Sequence, residues 1–130
     1  MEKEAPYVDI IINNLDDGSH PFHLHGHDMY VLARHKSIHG WGSYSPWSSA
    51  ASNVVPELEL LRPLRKDTVM VPRRGFVVVR FRAGNKGIWM FHCHVLVHQA
   101  SGMAMGLHIG SEGGEGHEEV SERAGELCAL

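Results

Sequence analysis

The stretch His20 to His27, HPFHLHGH, carries four histidines in eight residues, broken by a proline and a glycine. Imidazoles are costly to bury without partners, and a cluster of them repels itself once protonated. A second stretch, FHCHVLVHQASGM from Phe91 to Met103, repeats the pattern with a cysteine inside it. What holds such groups together is a metal, with ligands drawn from both segments.

Strand geometry divides those ligands. Neighbouring side chains on a β-strand point to opposite faces. If His92, Cys93 and His94 lie on a strand, the two imidazoles face one way and the thiolate the other, so one ion cannot easily take all three. The phasing predicts two sites, one on each side of the same strand. His23 and His25 share the two-residue spacing of His92 and His94, which predicts one polynuclear site built from these four. On the other side, Cys93, His98 and His20 form a His2Cys set, and Met103 follows a permissive Gly102 as a weak axial thioether. That is the arrangement of blue-copper electron-transfer sites; zinc gains nothing from a thioether. A lone His-x-His pair is more often a surface or core feature than a site. Two histidine-rich stretches with compatible phasing, one enclosing a cysteine, are a different matter. His27, beyond Gly26, reads as a residue that supports the turn instead of a ligand. His35, His39, His108 and His117 lack the phasing and read as ordinary polar residues.

The segments around the clusters alternate with period two and are rich in β-branched residues. Strands are expected at Tyr7–Asn14, His27–His35, Asp67–Pro72, Gly75–Ala83, Ile88–His94 and Met103–Gly110, with the third and fourth paired as a hairpin around Arg73 and Arg74. Short strands at this spacing predict an all-β antiparallel sandwich or barrel. Residues 36–66 form a long irregular excursion, with a helical turn expected near Pro56–Leu61. Its aromatics Trp41, Tyr44 and Trp47 favour packing over disorder. The chain divides into a domain, 1–110, and a polar acidic tail, 111–130.

Composition closes off other classes. The 130 residues hold 12 Lys and Arg against 15 Asp and Glu, a formal charge of −3. That balance argues against nucleic acid as a partner, which needs a basic patch. The basic cluster from Arg62 to Arg74 reads as a solvated rim. No apolar run is long enough for a membrane span, and the acidic N-terminus shows no signal peptide. There are 11 histidines but only two cysteines, Cys93 and Cys128, so no disulfide framework is expected.

HPFHLHGHDMYVL and WMFHCHVLVHQASGMAM resemble the last two copper-binding motifs of the multicopper oxidases, the family of laccase, ascorbate oxidase and ferroxidases. The intervening RKDTVMVPRRGFVVVRFRAGNKG is similar to the fungal laccase-like branch. The resemblance runs from about Val8 to Gly110. It implies a cupredoxin-like Greek-key β-sandwich, the C-terminal domain of such an oxidase and an incomplete one. It assigns His20, Cys93 and His98 to a type 1 copper with Met103 axial, His23 to the type 2 copper, and His25, His92 and His94 to the type 3 pair. The implied chemistry is one-electron oxidation of a phenolic or similar reductant at the type 1 copper. Electrons then pass through Cys93 to His92 and His94, where dioxygen becomes water. The implied location is extracellular.

That family builds its trinuclear cluster from eight histidines in two domains, and the two upstream His-x-His motifs have no counterpart here. Cupredoxin domains beyond this chain are therefore expected as partners, along with dioxygen and a small-molecule reductant. Cys128 resembles a C-terminal cysteine that many laccases tie to their first domain. A stand-alone type 1 electron carrier and a non-catalytic metal-binding module are the alternatives. No carboxylate in the sequence is tied by its spacing to iron binding.

Overall fold

The computed structural model describes residues 4–110. The acidic tail, with His117 and Cys128, lies outside the described residues. Eight strands and one short helix follow in order: β1 Tyr7–Asn13, β2 His20–Leu24, β3 Met29–His35, β4 Leu64–Lys66, β5 Thr68–Val71, β6 Phe76–Arg82, β7 Gly87–Cys93, α1 Leu96–Ala100 and β8 Ala104–Ile109. They form two four-stranded antiparallel sheets, β1-β6-β3-β4 and β5-β2-β7-β8. Among the described residues no helix is long and apolar enough to cross a membrane.

The run FVVVRFR of β6 is apolar almost continuously, instead of alternating, because it is buried on both faces. Val77, Val79 and Phe81 enter the core between the sheets with Leu24, Met29, Val69, Val71, Phe91 and Ile109. Phe76 and Val78 face outward with Leu32, where Tyr44, Val54 and Leu58 of the long excursion pack over them. The excursion is thus a cover for the outer face of the first sheet. Its backbone is tied down by Gly42 N–H to Arg74 O, Val54 N–H to Ser43 O and Glu59 N–H to Leu32 O. The helical turn expected at Pro56–Leu61 does not form. Leu58 is instead held on the outer core beside β3, which an extended strap allows.

The expected hairpin around Arg73 and Arg74 is also absent. β5 pairs with β2 in one sheet, and β6 pairs with β1 and β3 in the other. The chain crosses from sheet to sheet at Pro72–Gly75. Buried Asn14 supports that corner: its side-chain amide donates to Pro72 O and Gly18 O, and its N–H donates to Gly75 O. Arg74 takes φ 51°, the left-handed region.

Pro21 sits within β2, a central strand, where a missing N–H normally costs a ladder bond. Opposite it, His94 N–H donates to Pro21 O at 2.7 Å, and a proline can return nothing. The named β2–β7 register runs only from Leu24↔Phe91 to Phe22↔Cys93. Past His94 the chain leaves the sheet and enters α1, a helix the sequence pattern did not suggest.

Candidate metal centre

Register decides which ligands share a face. Phe22 lies opposite Cys93 and His23 opposite His92, and directly opposed residues project to the same side. Cys93 therefore points inward with Phe22, while His92 points outward with His23.

On the inner side, His20 and Cys93 are buried and the half-buried His98 joins them from α1. The His20 and His98 Nδ1 atoms are 3.1 Å apart, and Cys93 Sγ is 3.7 Å from each. A point equidistant from these three atoms lies about 2 Å from each, in the range of metal–imidazole and metal–thiolate bonds. The three can hold a metal ion as they stand. His20 Nε2 is 2.9 Å from Asp16 Oδ2. Its N–H donates to that carboxylate, leaving the Nδ1 lone pair for a metal. Met103 is tied to the same group through its backbone: its N–H donates to His98 O, and Cys93 N–H donates to Met103 O at 2.9 Å. Gly102, at φ 102°, makes that return possible. The Met103 side chain is partly exposed.

On the outer side four imidazoles gather. Ring centroids are 4.8 Å apart for His23–His25, 5.1 Å for His25–His92, 5.5 Å for His92–His94 and 6.0 Å for His23–His94. His92 Nδ1–H donates to Cys93 O at 3.0 Å, and His23 Nδ1–H to Asp67 O at 2.9 Å. Each bond sets a tautomer and leaves Nε2 as the donor atom. His25 and His92 face each other with Nε2 atoms 3.0 Å apart. Partial desolvation, then the neighbouring His23, His92 and His94, push the basicity of His25 down. Lower basicity keeps its lone pair free for a metal at neutral pH.

All eight residues singled out by the sequence motifs thus lie in or against one of two groups, back to back across β7. One participant escaped the sequence reading. Asp16 is exposed and one oxygen is bonded to the ring of His20. That bond, followed by the backbone N–H groups of Asp17 and Gly18, holds its carboxyl below the ordinary carboxylate range. The available signal was its position four residues before His20 in the turn LDDGSH.

A family model described as multicopper oxidase matches residues 3–112. The iron transport multicopper oxidase fetC of Epichloe festucae is 41% identical over 101 residues, covering 78% of this chain and 15% of that protein. The iron transport multicopper oxidase FET3 of Candida albicans is 36% identical over 121 residues, 93% of this chain and 19% of the relative. Among solved structures, Fet3p, a multicopper oxidase that functions in iron import, superposes with a TM-score of 0.70 at 31% identity, over 94% of this chain and 24% of that one. The laccase of Botrytis aclada gives 0.66 at 26% identity, over 95% and 21%. The chain spans less than a fifth of the length of these two curated relatives.

Proposed function

The chain belongs to the multicopper oxidase family, whose cofactor is copper and whose cupredoxin-like sandwich it shares, and we propose that it is the electron-entry module of such an oxidase. The observation that carries this reading is the back-to-back placement of the His20–Cys93–His98 triangle and the four outer imidazoles on opposite sides of the paired strands β2 and β7. Copper held by these groups, with Met103 as a further candidate donor, would supply one-electron oxidation on the inner side and four-electron reduction of dioxygen on the outer. The residues do the rest. Burial of His20 and Cys93 keeps water from the thiolate, while His98 is the half-buried ring through which a reductant reaches the site. Cys93 joins the two groups covalently, through peptide bonds to His92 and His94, and again through the bond from His92 Nδ1 to its carbonyl. Among the described residues the outer group gathers four imidazoles, and cupredoxin domains outside this chain would complete it. An extracellular location belongs to the same reading.

Ferrous iron is the reductant this site suits best. Asp16 presents an exposed carboxylate, kept ionised by His20, whose other ring nitrogen faces Cys93. A hard cation is drawn to oxygen ligands, and the relatives above are named for iron transport. A phenolic reductant is the second reading, favoured by the resemblance to the Botrytis aclada laccase. Stopped-flow reduction of the copper-loaded chain separates them. Asp16→Asn, whose amide oxygen can still accept from the His20 Nε2–H while the charge is lost, should slow reduction by Fe(II) about tenfold, the scale of electrostatic steering, and leave reduction by hydroquinone within about twofold. An equal fall for both reductants would count against a cation-docking carboxylate.

The electron-entry assignment has its own test. The copper-loaded chain is reduced anaerobically and then exposed to oxygen. With half the outer imidazoles supplied from elsewhere, the chain alone should stay reduced and bleached in air. Rapid return of colour, with four electrons taken per dioxygen, would show that no further domain is needed.

A further inference from the structure

His25 lies one residue beyond the end of β2 and is exposed, yet its Nε2 meets that of His92 at 3.0 Å. Its N–H still reaches Met90 O, and past it the strand ladder gives no support. Gly26 then turns the chain at φ 67°, and the indole of Trp89 lies so close that a Cβ there would sit 2.5 Å from the ring.

Two side chains clamp this turn, and both rest on Trp89. Asn85 Nδ2 donates to Gly26 O at 3.1 Å, while Trp89 Nε1–H donates to Asn85 O at 2.9 Å. His27 Nδ1–H donates to His25 O at 3.1 Å, and its ring stands edge-on to both Trp89 and Phe81. His27 Nε2 is buried with no hydrogen-bond partner, a penalty a phenyl ring would avoid. The imidazole acts there through Nδ1.

We infer that Trp89, with Asn85 and His27, is a positioning device that sets the His25 ring opposite His92 and thereby the copper affinity of the outer imidazole group. This rests on the reading of His25 as a ligand. Groups that orient a ligand typically change metal affinity by about 10–100-fold when removed.

Two variants of the full chain test it: Asn85→Ala, at an exposed position, and Trp89→Phe, which keeps an aromatic face on Gly26 but loses the N–H. Each should weaken Cu(II) binding by the outer group about tenfold or more, measured by chelator competition with electron paramagnetic resonance. The thiolate absorption from Cys93 should be unchanged. In the metal-free chain, the nuclear Overhauser contact between the His25 and His92 rings should weaken or vanish. Folded variants that keep both the ring contact and the affinity within twofold of wild type would overturn the inference. If the wild-type outer group takes up no copper, the ligand reading fails, and the ring contact alone decides: its loss in the variants supports positioning and its persistence refutes it.

Discussion

Cys93→Ser is expected to abolish the intense absorption of the copper-loaded chain toward the red end of the visible, leaving it colourless. That band is charge transfer from a thiolate to copper, and a serine hydroxyl at the same place is neither soft nor ionised at neutral pH. Cys93 Sγ is the single sulfur in the triangle with His20 and His98 Nδ1. His23, His25, His92 and His94 point to the other face and are untouched, so they should retain copper in the variant. The measurement is an absorption spectrum alongside metal content. A blue variant would show that the thiolate is not the ligand; loss of all copper would show that the two groups do not bind separately.

Gly75→Ala is expected to destabilise the chain by about 3 kcal/mol, the upper end of overpacking costs. A Cβ at Gly75 would lie 1.9 Å from the carbonyl oxygen of His35 and 2.9 Å from its carbonyl carbon. These are backbone atoms at the end of β3, with His35 paired to Phe76, so no side chain can swing away to make room. Relief requires separating β3 from β6, the strand that carries both hydrophobic clusters. Gly84→Ala is the control: its Cβ would meet only the Ala5 Cβ, at 3.3 Å, and the cost should stay below about 1 kcal/mol. Urea unfolding decides it. The Gly75→Ala midpoint should fall sharply at unchanged slope, and equal midpoints for the two variants would remove the argument.

The division of candidate ligands between the two faces of a strand was legible in HCH and in HLH. Alternation is a property of the extended backbone over two or three residues, and it needs nothing from the rest of the chain. The same local periodicity marked most strands and made a sandwich the economical way to bury them. Sheet membership was not legible in this way. DTVMVP and GFVVVRFRA read as a hairpin because the residues between them suit a turn. A tight turn and a corner between sheets look alike in sequence. What separates them is which distant strands accept the hydrogen bonds, β2 for one and β1 with β3 for the other. Asp16 was overlooked for a related reason: an acid in a surface turn has no signature until the turn is folded against His20. The clamp on His25 likewise draws Asn85 and Trp89 from a segment some sixty residues away. Local geometry determined which atoms could be ligands, because covalent spacing alone sets which way they point. The tertiary structure decided which carboxylate, indole and amide hold those atoms in place, because such contacts exist only once distant segments share a surface.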